Sequence, residues 1–99
     1  MKEYESKLQS EEMDRLCEAF LSLKTKEECY RFFEDICTIN EIKALEQRLQ
    51  VASMLINKIT YLEIANKTGA STATISRVNR CLNYGSEGYK IVLDRVSGK

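Results

Sequence analysis

The spacing of a few residues in the C-terminal half constrains the fold of this chain more than any other feature. Ala65 is followed four positions later by Gly69, and the apolar residues Ile75 and Val78 come six and nine positions after that glycine. Two helices that cross closely need a small side chain at the crossing, and glycine turns the chain without steric cost at positive φ. The spacing predicts a helix-turn-helix with Ile64, Ile75 and Val78 in its small core.

Signals for helix starts recur along the whole chain. Ser10 and Thr25 are followed by pairs of glutamates, and Thr38 and Thr60 each begin a capping box with glutamate three positions later. Proline is absent and there are only 4 glycines, so few residues break helices. We therefore expect an all-α fold of six helices and no strand. The predicted inner faces comprise Met13, Leu16, Cys17, Phe20 and Leu21; Cys29, Phe32, Phe33 and Ile36; Ile42, Leu45, Leu49, Ala52 and Ile56; Ile75, Val78 and Leu82; and Tyr89, Val92, Leu93 and Val96.

The length of 99 residues predicts one domain with a small core, which a partner subunit would help to complete. We divide residues 1–99 into N-terminal dimerisation helices (1–37), a long central helix (38–58), the helix-turn-helix (60–84) and a C-terminal helix (86–97). Asn57 is expected to end the central helix in a left-handed conformation, Ser71 or Thr72 to cap the second helix of the motif, and Ser86 and Glu87 to start the last helix.

Charge is distributed unevenly although the formal net charge is +0. Residues 1–50 carry 8 Lys and Arg against 12 Asp and Glu, a net of −4, whereas residues 51–99 carry 7 against 3, a net of +4. A basic C-terminal half favours a polyanionic partner.

Several classes of protein have no support in the sequence. The longest nearly uninterrupted apolar run, 51–56, is far shorter than the roughly 18 residues of a membrane span, so we expect a cytoplasmic protein without a membrane segment. The 4 cysteines have no Cys-x-x-Cys spacing and histidine is absent, which argues against a metal site and against an enzyme. Reduced, packed thiols are the main interpretation, with a disulfide or redox switch as the alternative.

The second helix of the motif has an unusual composition for a helix surface. If Ile75 points inward, then Ala73, Arg77, Arg80 and Tyr84 point outward. Small, hydroxyl and arginine side chains suit the major groove and phosphates of DNA, whereas a purely solvated face would favour Glu and Lys. The predicted DNA-binding residues are Lys58, Lys67, Ser71, Thr72, Ala73, Thr74, Ser76, Arg77 and Arg80.

The segment from Thr38 to Asn83 resembles the tryptophan repressor family, in particular through EIKALEQR at 41–48 and GASTATISR at 69–77. The ending RVNRCLNYG at 77–85 is similar to the Trp-repressor-like bacterial proteins of the YerC/YecD group. The resemblance implies a six-helix fold, an intertwined homodimer, and a transcriptional repressor that binds double-stranded DNA.

The resemblance also implies an effector pocket at Arg48, Arg77, Val78 and Cys81. Val78 stands where the family has glycine and would fill the slot for an indole ring, while Cys81 replaces a serine that helps to hold the ligand. We therefore expect no tryptophan cofactor, and leave open a different small effector or none.

An alternative function is a helical protein–protein adaptor that keeps the helix-turn-helix as a scaffold, which is favoured by Phe32, Phe33 and the acidic N-terminal half. Phe32 and Phe33, with Tyr30 beside them, belong either to the core or to a dimer interface, where aromatic residues are enriched.

Overall fold

The structure, a computed structural model, describes residues 4–97 and consists of six α-helices, with no strand in that range. Residues 1–3, 98 and 99 of the predicted domain lie outside the described residues. The helices are α1 (Glu11–Leu21), α2 (Lys26–Ile36), α3 (Ile39–Ile56), α4 (Tyr61–Thr68), α5 (Thr72–Tyr84) and α6 (Gly88–Ser97). The prediction of a six-helix, all-α fold is confirmed.

The chain divides into two compact units between Thr38 and Ile39. The first unit contains α1 and α2. The N-caps are the predicted ones, since the Ser10 hydroxyl accepts from the Met13 amide at 3.0 Å and the Thr25 hydroxyl accepts from the Glu28 amide at 3.1 Å. These bonds satisfy backbone donors that have no partner within a helix.

Aromatic rings connect the two helices of the first unit. The ring of Phe20 lies 5.1 Å from that of Phe32 in an edge-to-face arrangement and 5.7 Å from that of Phe33. No residue of α1 or α2 is buried, however. Four residues predicted to face inward are exposed, because two short helices can cover only one side of each other: Cys17, Phe20, Leu21 and Ile36.

The second unit packs α3 against α4 and α5, with α6 resting on α3. Ile64 and Ile75 are 0% exposed and Val78 is 1% exposed, so the predicted small core is confirmed. The complete buried cluster is Val51, Ala52, Ile64, Ala70, Ile75, Val78 and Leu82. Tyr89 and Leu93 of α6 pack against it.

The central helix α3 has two apolar faces. Val51 lies in the core, whereas Leu45, Leu49 and Ile56, predicted on the inner face, are more than 40% exposed. Successive helical residues are rotated by about 100°, which places these three side chains roughly 120–160° away from Val51. One face therefore packs within the unit and the other is uncovered in the single chain.

The connection after α3 differs from the prediction. Lys58, and not Asn57, takes the left-handed conformation, with φ of 66°. The Lys58 amide donates to the Leu55 carbonyl and the Ile59 amide to the Met54 carbonyl, both at 3.0 Å, the two bonds of a Schellman motif. Asn57 instead donates its side-chain amide to the Ser53 carbonyl at 2.9 Å.

The start of α6 also differs. The helix begins at Gly88, and Glu87 precedes it with φ of 68°, so Ser86 and Glu87 do not form its first turn. Val92 and Val96, predicted inward, are exposed because α6 contacts the core only along its Tyr89 and Leu93 side.

The cysteines are dispersed. All four are free thiols; Cys29 and Cys37 are half-buried, whereas Cys17 and Cys81 are exposed and not packed as predicted. No helix among residues 4–97 has the length and hydrophobicity needed to cross a membrane.

Candidate nucleic-acid interface

The helix-turn-helix consists of α4, the three-residue turn 69–71, and α5. Thr60 caps α4 by accepting from the Glu63 amide at 3.2 Å, and Ser71 caps α5 by accepting from the Thr74 amide at 3.1 Å. Gly69 has φ of 74° and its amide donates to the Ala65 carbonyl at 2.9 Å. The turn therefore has the left-handed glycine that the sequence predicts.

Hydrogen bonds from Thr68 and Gln47 hold this turn in place. The Thr68 hydroxyl donates to the Ile64 carbonyl at 2.7 Å and accepts from the Ala70 amide at 3.0 Å. From α3, the Gln47 side chain donates to the Thr68 carbonyl at 3.1 Å. Sequence reasoning missed both residues: the Gln47 bond spans 21 positions, and apolar periodicity carries no signal for polar side chains such as those of Gln47 and Thr68.

The outward face of α5 is accessible. Thr72, Ala73, Ser76, Arg77 and Arg80 are all exposed, as expected from their angular positions. These side chains share one face of α5 because the buried residues Ile75, Val78 and Leu82 occupy the opposite face.

Thr74 is an exception among the predicted DNA-binding residues. It is half-buried, and its hydroxyl accepts a hydrogen bond from the Ser71 hydroxyl at 3.1 Å. The side chains of Ser71 and Thr74 thus contact each other at the start of the helix.

The surroundings of α5 are basic. From position 57 to 86 the chain has four cationic residues, Lys58, Lys67, Arg77 and Arg80, and one acidic residue, Glu63. All four cationic residues are exposed. The ion pairs Arg31–Glu27 and Lys43–Glu46 involve none of these four cations, whose side chains are therefore accessible to a polyanion.

The predicted effector residues have different environments. Val78 is buried in the core, while Arg48, Arg77 and Cys81 are exposed. Tyr89 packs against the core, and burial raises the pKa of its phenol; the charge of Cys81 raises this pKa further, whereas that of Arg48 lowers it. The net effect is a raised pKa of the Tyr89 phenol.

A separate groove lies between the end of α3 and α6. None of the predicted effector residues lines it; its lining residues are Ser53, Ile56, Asn57, Lys90, Ile91, Leu93, Asp94, Arg95 and Ser97. The described residues contain no cluster of His, Cys, Asp and Glu that could hold a metal ion.

Together, the fold and the exposed face of α5 define an all-helical protein of the helix-turn-helix class. The sequence model of the Trp repressor protein family matches residues 11–97. The chain belongs to the Trp repressor family, a family of regulators and not of enzymes.

Individual relatives agree with this assignment. The uncharacterised protein YerC of Bacillus subtilis (strain 168) is 62% identical over 90 residues, which are 91% of this chain and 86% of YerC. A TrpR-like protein from Eubacterium eligens ATCC 27750 has a crystal structure that matches with a TM-score of 0.87 at 60% identity, covering 91% of this chain and 93% of that one.

A second solved structure is that of a candidate Trp repressor from Staphylococcus aureus. It matches with a TM-score of 0.88 at 50% identity and covers 94% of this chain and 93% of that chain. The resemblance to the YerC/YecD group is thereby confirmed.

Proposed function

We propose that this protein is a sequence-specific, DNA-binding transcriptional repressor that acts in the cytoplasm as a homodimer. The observation that carries this proposal is the exposed face of α5, which presents Ala73, Ser76, Arg77 and Arg80. Neither arginine forms an ion pair within the described residues. In helix-turn-helix proteins, such a face enters the major groove and occupies an operator.

Three observations on the single chain support a dimer. No residue of α1 or α2 is buried, and the Leu45, Leu49 and Ile56 face of α3 is uncovered. Residues 1–50 carry a net charge of −4 and residues 51–99 one of +4, so the acidic half of one copy attracts the basic half of another. A second copy whose N-terminal helices cover these apolar faces gives the intertwined homodimer that the family resemblance implies.

The dimer is tested by sedimentation at several protein concentrations. Wild-type protein is expected at twice the mass of the chain, and Leu49→Glu should shift it toward the monomer or an unfolded state, because a charge would be buried in the interface. Gln50→Glu, which introduces the same charge at an exposed polar position of α3 away from this apolar face, is the matched control. A monomeric wild-type protein at all concentrations would contradict the proposal.

DNA binding is tested by selecting preferred sites from a random duplex library at physiological salt. Preferred binding of one sequence family supports sequence-specific repression, and equal binding of all sequences contradicts it. Ala73→Glu should abolish binding while the dimer persists, since the carboxylate would face the DNA.

We further propose that tryptophan is not a corepressor of this protein. The buried Val78 side chain supports this, because it occupies the position where the family resemblance implies an open slot. Titration calorimetry with L-tryptophan should show no binding at millimolar concentrations, and tryptophan should leave DNA affinity unchanged.

The alternative, a protein–protein adaptor, is favoured by exposed apolar side chains such as Leu21 and Tyr30 in the first unit. A second copy of the chain would also account for such side chains, whereas an adaptor gives no reason for the composition of α5. If Ala73→Glu abolishes DNA binding while the dimer stays intact, the helix-turn-helix is not merely a scaffold, and this result would argue against the adaptor.

A further inference from the structure

The first five residues of α5, from Thr72 to Ser76, carry no side chain that reads a purine by paired hydrogen bonds. Arginine, lysine, asparagine and glutamine make such contacts with guanine or adenine, and none of these occurs between position 71 and position 76. This is also the end of a recognition helix that reaches the base edges.

Contacts within the protein restrict the choice of reading residue further. Thr74 is half-buried and its hydroxyl accepts from Ser71, while Ile75 is buried in the core. Ala73 is the one exposed apolar residue among these five. Its side chain is a single methyl group, which lets the helix approach the floor of the groove.

The arginines of α5 lie farther along the helix. At a rise of about 1.5 Å per residue, Arg77 and Arg80 stand about 6 Å and about 10 Å beyond Ala73 along the axis. The major groove is roughly 8.5 Å deep. When α5 enters the groove with its N-terminal end first and Ala73 reaches the base edges, the backbone at both arginines lies toward the rim of the groove, where the guanidinium groups can bind phosphates.

Resting on the proposed DNA-binding function, we infer that Ala73 reads thymine, through contact of its methyl group with the thymine 5-methyl group in each half-site. Thymine alone among the four bases carries a methyl group in the major groove. Arg77 and Arg80 supply affinity through phosphates and carry little base preference.

The test replaces single thymines by uracil in the DNA site selected from a random library, which removes only the 5-methyl group. Full-length wild-type protein should lose about fourfold in affinity at one position of each half-site, the effect of one buried methyl group. With Ala73→Gly, the ratio of affinities for the thymine and uracil sites should fall close to one.

Comparing the two DNAs with the same protein removes the general effect of glycine on helix stability, which affects both affinities equally. Ala73→Ser, which adds a hydroxyl to the methyl carbon and makes this contact polar, serves as a second variant should the glycine variant fold poorly, and it should also lower the thymine-to-uracil ratio. Arg77→Ala should weaken binding to both DNAs and leave the thymine-to-uracil ratio as in the wild type.

The outcomes separate the two levels of the proposal. If a preferred site is found but every uracil substitution is neutral, or its effect is the same with Ala73→Gly, the role of Ala73 is wrong and DNA recognition stands. If selection yields no preferred site, the proposed function fails and this inference fails with it.

Discussion

The Ser71 hydroxyl accepts a hydrogen bond from the Thr74 amide at 3.1 Å and donates one to the Thr74 hydroxyl, also at 3.1 Å. This pair fixes the first turn of α5, where the proposed base contacts begin. The same side chain therefore contributes to folding stability and stands at the proposed DNA surface.

Two substitutions of Ser71 separate these roles. Ser71→Ala removes the N-cap and should lower the free energy of unfolding by about 1 kcal/mol, measured by urea denaturation at fixed protein concentration. Ser71→Asp keeps a capping oxygen and should retain near-wild-type stability, since aspartate caps as well as serine does. Its carboxylate should nevertheless weaken DNA binding at least tenfold in a fluorescence anisotropy titration. Equal DNA affinity for Ser71→Asp and wild type would place Ser71 away from the DNA.

Lys58 occupies a left-handed position that favours glycine, with φ of 66°. Lys58→Gly should raise the free energy of unfolding by about 1 kcal/mol, because the steric cost of the Cβ atom at positive φ disappears. If Lys58 contacts a phosphate, the same variant should bind DNA more weakly. Higher stability with lower affinity is the expected combination, measured by thermal denaturation and anisotropy.

A control for charge is Lys58→Asn, which tolerates the left-handed conformation and carries no charge. It should also lower DNA affinity. Unchanged affinity in both variants would remove Lys58 from the proposed interface.

The helix starts and the turn of the helix-turn-helix were predictable from the sequence because their determinants are local. Each of these determinants acts on residues only three or four positions away along the chain; they are the caps Ser10, Thr25, Thr60 and Ser71 and the left-handed Gly69. The caps satisfy unpaired backbone amides at helix starts, and Gly69 adopts the left-handed conformation that ends α4, so the local sequence is enough to predict both.

The apolar faces were harder to assign. The sequence shows that Leu45, Leu49 and Val51 lie on α3, but periodicity cannot tell which apolar face packs within its own unit. The choice depends on contacts distant in the chain, such as Val51 with the core formed by α4 and α5. The Schellman motif at Lys58 was missed for a related reason, since sequence preference points to Asn57 and a left-handed lysine carries no local signal.

Gly69 offers a clean test of backbone conformation. A Cβ atom built on Gly69 would meet nothing within 4 Å, so the cost of Gly69→Ala arises from φ of +74° alone. We expect a loss of about 1 kcal/mol in the free energy of unfolding. Gly88→Ala is the matched control, because its Cβ atom also meets nothing within 4 Å and its φ is outside the left-handed region. The control should be neutral or slightly stabilising in the same urea titration. Equal effects of the two substitutions would contradict a conformational role for Gly69.

The four free cations of the helix-turn-helix predict how DNA affinity depends on salt. Lys58, Lys67, Arg77 and Arg80 in both copies of a dimer give about eight phosphate contacts, and each contributes about −0.9 to the slope of log K against log salt, so a slope of about −7 is expected. Replacing Arg80 by alanine removes two contacts per dimer and should reduce the slope to about −5. Arg31→Ala should leave the slope unchanged, because Arg31 pairs with Glu27 at 2.8 Å on α2. Anisotropy titrations from about 50 to 200 mM salt measure the slope. A slope near zero, or one that Arg31→Ala changes as much as Arg80→Ala does, would show that these cations do not face the phosphates.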